Sequence, residues 1–488
     1  MSAVSMFFCI DTAEMRFWIM LIGREKEAGI LKKCYESGKS EFVVVYGRRR
    51  VGKTFLVKEL FEAEFTFYST GILNGTKEAQ LVAWNNEIIR FGGADLPVAE
   101  NWLEAFVNLN VLIEAGKTAG KKIIFLDEIP WMVTLHSDFL AGLDYFWNRW
   151  ASRKNILLII CGSAASWIVD NIINDKGGLH NRLTRQILIE PFSLKECEQF
   201  FESRRVPMTR YQIAEAHMIF GGIPYYLDLM EPKYSLYQNV DEMYFARGAE
   251  LQNEFENLYR SLFKNAENYI RVIEALAKKG IGLTRNEIIA ASKISDGGSL
   301  TKILRDLTIS GFIRESKAYG QKKRDSLYQL IDFFSLFDIC FREKRKEHAN
   351  DFWLRFSSTS AHSVWCGFSF EKLCLLHLQQ IRKKLGITGV LTSAFSWRGE
   401  HDGTGMQIDL VIDRGDNIIN LCEIKYASGE YQIDKGYYES MRKKRSGFVN
   451  STHTRKAVQT TMITTFGLKK NNYSAEMVSE VILDDLFA

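Results

Sequence analysis

The sequence has few prolines, no two cysteines at C-x-x-C spacing and no long apolar run. It has 488 residues with only 6 prolines, and its 8 cysteines include no C-x-x-C pair. Zinc ribbons and thioredoxin-like redox sites are therefore disfavoured. No apolar run reaches the 18 residues that indicate a membrane span, so no membrane partner is predicted. The net charge of +4 is small for this length and does not by itself indicate nucleic acid.

The length of the chain indicates the number of domains, and its cysteines indicate the cellular compartment. A chain of 488 residues is too long for one ordinary core, so several domains are expected. Cysteines within apolar runs are typical of a reducing compartment, and we predict a cytoplasmic protein. Met20 starts Met-Leu-Ile-Gly-Arg-Glu, which is typical of a domain start. Residues 1–19 are accordingly predicted to be a dispensable extension or a start-site artefact.

A glycine-containing segment carries the strongest indication of function. Residues 47–54 read G-R-R-R-V-G-K-T and fit the phosphate-binding pattern G-x-x-x-x-G-K-[ST]. They follow the strand-like run 42–46 and precede the helical spacing of 55–61. In this context Lys53 would reach the β- and γ-phosphates of ATP, and Thr54 would hold Mg²⁺. The residues predicted to bind nucleotide are Gly47, Arg48, Arg49, Arg50, Val51, Gly52, Lys53, Thr54 and Phe55.

Two later strand-like runs end in residues suited to hydrolysis. Lys121 to Leu126 leads into Asp127, predicted to coordinate Mg²⁺, and Glu128, predicted to polarise the attacking water. The next apolar run ends at Ser163, which would face the γ-phosphate because ligands bind at the carboxyl ends of parallel strands. Arg182 and Arg185 follow as candidate arginine fingers, in cis or towards a neighbouring subunit. A solvated basic surface is the open alternative for each arginine.

Taken together, these residues resemble the archaeal/bacterial P-loop ATPase family of the AAA-like and STAND class. The segments that carry the resemblance are Ile22-Gly23-Arg24-Glu25, residues 47–54, F-L-D-E-I at 125–129, C-G-S-A at 161–164 and G-G-I-P at 221–224. The resemblance spans about residues 20–265. It implies that the segment with Pro224 lies near bound nucleotide and reports its state. A purely structural turn between helical segments is the alternative. Ring assembly and STAND-like switching both remain open.

Residues 266–330 resemble a winged helix-turn-helix, with three short helices and a hairpin. In a DNA-binding version, the third helix would present four side chains to the major groove, and a basic tip at 320–324 would touch phosphate. Those four residues are Ser299, Thr301, Lys302 and Arg305. The acidic Asp306 in the same helix is unfavourable for DNA. DNA and a protein partner therefore stay equally open as the ligand.

A second group of acids lies in residues 331–488. The alternating run 406–413 and the run 418–425 predict a hairpin, with Asp409 on one strand and Glu423 and Lys425 on one face of the other. Two acids can hold Mg²⁺ or Mn²⁺ against a phosphodiester while a lysine orients the nucleophile. A cross-strand pair without any chemistry is the alternative reading of Glu423 and Lys425.

This second group resembles the PD-(D/E)xK nuclease superfamily. Its position after an archaeal-type ATPase is similar to that of the C-terminal region called DUF234. The resemblance implies that Asp409, Glu423 and Lys425 are catalytic and that Asp409 and Glu423 bind metal. It also implies that Glu371 is a further metal ligand and Gln432 a helper. An inactive remnant is the other possibility.

The complete prediction is an α/β multi-domain protein. It comprises the extension at 1–19, a P-loop ATPase core with a parallel sheet and a helical lid at 20–265, a winged helix-turn-helix at 266–330, and a restriction-endonuclease-like α/β domain at 331–488. Mg²⁺-dependent ATP hydrolysis would control a DNA-binding and nuclease module. The alternative is a non-catalytic assembly switch that acts by self-association or through a protein bound to the winged helix.

Overall fold

The structure, a computed structural model, describes most of the chain. The described residues are 21–116, 120–134, 137–174, 177–179, 181–278, 282–316, 326–346, 351–401 and 404–488. The predicted extension at 1–19 and the predicted wing tip at 320–324 lie outside them. The chain divides into two compact units, Met1–Pro191 and Phe192–Ala488. Among the described helices, none has the length and apolar character needed to cross a membrane.

The first unit is built on a parallel sheet of five strands. The strands are β1 (Glu41–Tyr46), β2 (Phe65–Thr70), β3 (Lys122–Asp127), β4 (Ile156–Gly162) and β5 (Arg185–Leu188). Their order in space is β2-β3-β4-β1-β5, and every neighbouring pair is parallel. All seven residues of β4 are buried, as expected for a central strand covered on both faces. This is the α/β arrangement that the sequence predicts.

Helices surround this sheet, and one side contains a large aromatic cluster. The helices are α1 (Glu25–Glu36), α2 (Lys53–Phe61), α3 (Lys77–Arg90), α4 (Trp102–Ala115), α5 (Ile129–Met132), α6 (Phe139–Arg149) and α7 (Ala165–Ile168). Trp84 of α3 packs edge-on against Trp102 of α4, with ring centroids 5.3 Å apart. Because the rings of Trp102, Phe106 and Phe139 also contact one another, this side of the sheet is held rigidly.

The second unit begins with helices and continues with a small antiparallel sheet. The helices before the small sheet and around it are α8 (Leu194–Ser203), α9 (Arg210–Phe220), α10 (Pro224–Asp228), α11 (Leu236–Val240), α12 (Glu254–Leu262), α13 (Ala266–Ala277), α14 (Arg285–Ser292) and α15 (Gly298–Ile309). The strands are β6 (Leu283–Thr284), β7 (Ile313–Ser316) and β8 (Leu327–Leu330), in the order β6-β8-β7. Helices α13 to α15 and the β7–β8 hairpin occur where the sequence predicts three helices and a hairpin.

The chain ends with a mixed sheet of five strands between helices. Its elements are α16 (Phe333–Arg345), α17 (Phe352–Phe356), α18 (Ser360–Leu376), α19 (Leu378–Lys384), β9 (Thr392–His401), β10 (Thr404–Arg414), β11 (Ile418–Lys425), α20 (Lys435–Thr452), β12 (Ala457–Thr464) and β13 (Ser479–Ile482). The order is β13-β12-β11-β10-β9. Strands β9 to β11 pair antiparallel, whereas β11, β12 and β13 pair parallel. Helix α18 contacts β11, and α20 contacts β9, β10 and β12.

Candidate functional site

The glycine loop follows β1, and its backbone requires glycine at both ends. Gly47 has φ +146°, and a Cβ there would lie 2.2 Å from the carbonyl oxygen of Ile189. Gly52 has φ +89° and leads directly into α2. Any side chain at Gly47 would collide with the segment after β5, so this residue lets the loop turn back across the sheet edge.

A buried arginine outside the loop fixes the loop's carbonyl groups. Arg24 is 6% exposed, and its Nη2 donates to the carbonyl oxygens of Val51 at 3.2 Å and Glu190 at 2.8 Å. The guanidinium therefore joins the loop to the chain that leaves β5. Sequence reasoning assigned no role to Arg24, because a basic residue before a helix gives no sign of the carbonyls it will meet.

The remaining loop residues differ in exposure. Arg48, Val51 and Lys53 are buried, whereas Phe55 is 44% exposed on α2. Gly47, Arg48, Arg49, Arg50, Val51, Gly52, Lys53, Thr54 and Phe55 form one continuous turn into that helix, with Arg50 in the left-handed region at φ +69°. The Nζ of Lys53 donates to the carbonyl oxygen of Arg48 at 2.7 Å. The ammonium group of Lys53 is thus held within the loop.

Thr54 and Asp127, the two predicted Mg²⁺ ligands of the first unit, are in contact. The Thr54 hydroxyl donates to Oδ2 of Asp127 at 2.8 Å. Asp127 is 4% exposed at the end of β3. A hydroxyl and a carboxylate at this spacing are oxygen donors of the kind that Mg²⁺ prefers, so the donor set fits this ion.

Glu128 has an unusual backbone conformation, and its carboxylate is bonded to Ser163. Its φ of +48° lies in the left-handed region, which is uncommon for a residue with a side chain. Oε2 of Glu128 accepts hydrogen bonds from the Ser163 backbone N–H at 3.0 Å and from its hydroxyl at 2.9 Å. Burial raises the pKa of Glu128, and the charge of Lys53 and the Ser163 hydrogen bonds act against that rise. Ser163, predicted to face the γ-phosphate, thus contacts the neighbouring carboxylate.

Arg182 and Arg185 lie near the wrong end of the sheet for a role in cis. Arg185 pairs with Val43, three residues before the end of β1, which corresponds to about 10 Å along the strand. The charge of Arg185 acts on Glu41, at the start of β1. Arg182 is exposed and lies two residues before Thr184, whose N–H bonds to the carbonyl of Phe42. A cis arginine finger therefore disagrees with the strand register; action in trans stays a prediction.

Pro224 starts α10 in the second unit. It follows Gly221 and Gly222, whose φ values are +68° and +64°. A Cβ at Gly222 would lie 2.2 Å from the carbonyl oxygen of Phe192, so the turn before the proline needs glycine. Contact between Pro224 and nucleotide stays a prediction.

The acids of the C-terminal sheet border a cavity of about 530 Å³. Asp409 reaches it from β10, Glu423 and Lys425 from β11, and Glu371 from α18. Asp409 occupies a register irregularity, because Ile408 pairs with Trp397 whereas Val411 pairs with Phe395. Bulges of this kind re-aim a side chain and are frequent beside functional sites. The four side chains predicted from the sequence therefore meet at one cavity.

Two residues of α20 bind the carboxylate of Glu423, which the sequence predicts as a metal ligand. The Nζ of Lys444 donates to both carboxylate oxygens of Glu423, each at 2.8 Å, and the Tyr437 hydroxyl donates to Oε2 at 3.1 Å. Lys425 lies with its Nζ 5.0 Å from the centre of the Tyr437 ring. Sequence reasoning missed Lys444 and Tyr437. The basic run 442–445 is the available signal in the sequence, and it does not show which of its lysines contacts an acid.

Carboxyl groups outnumber lysines in the lining of this cavity. Burial and the charge of Asp409 raise the pKa of Glu371 to about 8. Burial and the charge of Glu423 raise the pKa of Asp409 to about 6. A divalent cation would relieve this repulsion, so the donor set fits Mg²⁺ or Mn²⁺. The carboxylates are not, however, among the described groups in which three ligand atoms lie within 4.8 Å of one another.

Gln432 lies apart from these acids. It is exposed, precedes α20, and borders a different cavity with Asn471 and Tyr473. Helix α20 begins only at Lys435, so Gln432 is not on the helical face that points to Glu423. The prediction of Gln432 as a helper is therefore not supported by its position.

Comparisons with known proteins give a family for the first part of the chain and a relative along most of its length. The model of a family described as an ATPase domain predominantly from Archaea matches residues 21–230. An uncharacterized protein of Methanocaldococcus jannaschii is 25% identical over 434 residues, covering 87% of this chain and 92% of that protein. An uncharacterized ATP-binding protein of the same organism is 39% identical over 44 residues, covering 9% of this chain and 75% of that protein.

Solved structures show weaker likenesses. The Walker-type ATPase of Pyrococcus abyssi has a TM-score of 0.46 and 19% identity, covering 66% of this chain and 96% of that one. The ORC2 protein of Aeropyrum pernix in its ADPNP–ADP complexes has a TM-score of 0.41 and 16% identity, covering 67% and 95%. Both scores are below 0.5, so the fold assignment depends on the strand order of the chain itself.

The family match and the geometry agree on the first part of the chain. The parallel order β2-β3-β4-β1-β5, with a glycine loop after β1 and two acids after β3, is what an ATPase domain needs to bind nucleotide at one sheet edge. Residues 21–230 therefore belong to the nucleotide-binding ATPase domain family that occurs predominantly in Archaea.

Proposed function

We propose that the chain binds ATP with Mg²⁺ at residues 47–54 and hydrolyses it, and that hydrolysis controls the second unit. One observation carries the hydrolytic part. The carboxylate of Asp127 contacts Thr54, while the carboxylate of the next residue, Glu128, is held by Ser163. Adjacent acids with separate partners suit separate tasks, one at the metal and one at the water.

The proposed roles follow from the chemistry of each side chain. Backbone N–H groups of the loop would bind the phosphates, and Lys53 would neutralise charge on the β- and γ-phosphates. Thr54 and Asp127 would hold Mg²⁺, which would neutralise charge on the β- and γ-phosphates as ADP leaves. Glu128 would accept a proton from the attacking water. Its raised pKa brings this group closer to neutral pH, where a general base works best.

Two variants test this proposal by phosphate release and nucleotide binding. Lys53→Ala should lose nucleotide affinity, whereas Glu128→Gln should keep it and lose about 10²–10⁴-fold in kcat, the range for a general base. Lys58→Ala, a change on the same helix at a lysine paired with Glu62, is the matched control and should retain turnover. Equal turnover in Lys53→Ala and the unaltered protein would overturn the proposal.

A metal-dependent nuclease is the second candidate function, for the cavity of Asp409. What favours it is that Asp409, Glu423 and Lys425 line one cavity with Glu371, as a metal site for a phosphodiester requires. Plasmid and single-stranded DNA are incubated with Mg²⁺ or Mn²⁺, with and without ATP. Cleavage that Asp409→Asn and Lys425→Ala abolish would support the nuclease. No cleavage under any condition would support the non-catalytic switch.

The exposed face of α15 is the proposed contact for DNA. Ser299, Thr301, Lys302 and Arg305 are all exposed on this helix. Asp306, the acid that argued against DNA, is 2% exposed and accepts a hydrogen bond from the Tyr269 hydroxyl at 2.7 Å. Fluorescence anisotropy with duplex DNA at several salt concentrations tests the contact. Loss of salt-dependent binding in Lys302→Ala with Arg305→Ala would support DNA. No binding at low salt would favour a protein partner.

Self-association is the proposed setting for Arg182 and Arg185. Since Arg185 pairs with Val43, about 10 Å before the end of β1, and Arg182 precedes it in the chain, each would act on a nucleotide held by a second copy of the chain. Sedimentation with a non-hydrolysable ATP analogue tests this idea. A monomer at all concentrations, with turnover independent of protein concentration, would contradict it.

A further inference from the structure

Three different metal-ligating side chains converge in the second unit, away from the carboxylate cavity. They are Glu215 of α9 and His362 and Cys366 of α18, and all three are buried. Their ligand atoms lie within 4.8 Å of one another, and no other set in the described part of the chain meets that spacing. We propose that these three residues form a binding site for a transition metal, with Zn²⁺ as the best match.

The placement of the ligands on helices suits a fixed site. His362 and Cys366 are four residues apart, so they lie on the same face of α18. Glu215 comes from another helix, and α9 packs against α18. Two ligands at i and i+4 and a third ligand from a neighbouring helix can therefore bind the same metal ion. Carboxylate, imidazole and thiolate are each established ligands of Zn²⁺, which is borderline-soft.

The distance between sulfur and nitrogen in this cluster matches a tetrahedral metal. Sγ of Cys366 lies 3.5 Å from Nε2 of His362. A tetrahedral Zn²⁺, with a nitrogen at about 2.0 Å and a sulfur at about 2.3 Å, separates those two atoms by about 3.5 Å. Oε1 of Glu215 lies 2.8 Å from the same nitrogen, at hydrogen-bond distance. This gap would open by about 0.5 Å when the metal replaces the shared proton.

The surroundings also fit a metal site. The Tyr237 hydroxyl donates to Oε2 of Glu215 at 3.2 Å, which leaves Oε1 directed at His362. Hydrogen bonds of this kind to a ligand's second oxygen orient the ligand in metal sites. The Tyr426 hydroxyl is buried and lies close enough to Cys366 to interact with its thiol. Tyr426 or a water is the fourth ligand in this proposal.

The site would join two functional segments of the second unit. Helix α9 ends at the turn Gly221-Gly222 before Pro224, and α18 continues from Cys366 to Glu371, about 7.5 Å farther along its axis. The metal would therefore fix the helix that leads to the glycine turn against the helix that carries an acid of the cavity.

Metal content and a Co²⁺ spectrum of the full chain test the proposal. The unaltered protein, dialysed after exposure to Zn²⁺, should retain one equivalent by elemental analysis. Replacement with Co²⁺ should give the near-ultraviolet charge-transfer band of a thiolate ligand, which an oxygen site such as the cavity of Asp409 cannot produce. Absence of that band and of bound zinc in the unaltered, folded protein would overturn the proposal without any variant.

Matched variants then assign the ligands. Cys366→Ser should abolish the charge-transfer band, and His362→Gln should lower Zn²⁺ affinity at least tenfold. Cys374→Ser, at another buried cysteine of α18, should leave both unchanged. Asp409→Asn should also leave the band intact. A band that survives Cys366→Ser, or that disappears in Cys374→Ser while the circular dichroism is preserved, would contradict the assignment.

Discussion

The hydrogen bond from Ser163 to Glu128 gives a prediction that separates positioning from folding. Ser163→Ala removes the hydroxyl donor at 2.9 Å but keeps the backbone N–H donor at 3.0 Å. A hydrogen bond to a charged group contributes about 1.5–3 kcal/mol. Because one of the two donors remains, we expect the lower end of that range to be lost from the positioning of Glu128. At about 1.4 kcal/mol per tenfold, kcat should fall about tenfold.

The assay is steady-state phosphate release, together with nucleotide binding and thermal unfolding. The Kd for ATP should stay unchanged, since Lys53 and the loop are untouched. Ser166→Ala, at another buried serine shortly after β4, is the matched control and should keep the full kcat. An unchanged kcat in Ser163→Ala would refute the positioning role, and a rise in kcat would show that Ser163 restrains Glu128 instead.

Two further predictions concern the second unit. Asp241 accepts the backbone N–H groups of Trp353 at 2.7 Å and Leu354 at 3.0 Å, so Asp241→Ala should lower the free energy of unfolding by about 2–4 kcal/mol, measured in urea. Lys444→Ala leaves the carboxylate of Glu423 without its cation, so Mn²⁺ should bind at least tenfold more tightly by titration calorimetry, while the metal-free protein loses about 2 kcal/mol of stability.

Neighbouring residues supply the controls for these two changes. Glu242→Ala alters an exposed acid beside Asp241 and should change the free energy of unfolding by less than about 0.5 kcal/mol. Lys443→Ala changes a lysine that borders the cavity and should leave the Mn²⁺ affinity within about threefold. If Lys443→Ala and Lys444→Ala tighten Mn²⁺ binding equally, competition for Glu423 is the wrong explanation.

The fold of the first unit was predictable because each of its signals is local. The apolar run before Gly47 and the run before Asp127 gave strands that the structure shows as β1 and β3. Strand order needs information from distant parts of the chain. Sequence reasoning therefore placed Arg185 after β4 without seeing that the register with Val43 puts it far from the loop.

The carboxylate cavity was predictable in Asp409, Glu423 and Lys425 but not in Lys444. Asp409, Glu423 and Lys425 follow from alternation on two strands. The bulge that contains Asp409 breaks that alternation, and no turn residue in the sequence marks it. The contact of Lys444 with Glu423 joins a helix to a strand 21 residues away, and only the packing of α20 decides which lysine of its basic run reaches the acid.

The left-handed backbone conformation of Glu128 lowers the stability of the protein at the residue whose carboxylate is proposed to act on water. A side chain in that conformation costs about 1–2 kcal/mol that glycine would not. Glu128→Gly should therefore relax the backbone and, in the proposed mechanism, remove hydrolysis. The chain has at this position a residue that the local conformation disfavours, as expected if the proposed hydrolysis needs its carboxylate. A screen for thermal stability alone would favour glycine at position 128 and would lose the carboxylate proposed to act on water.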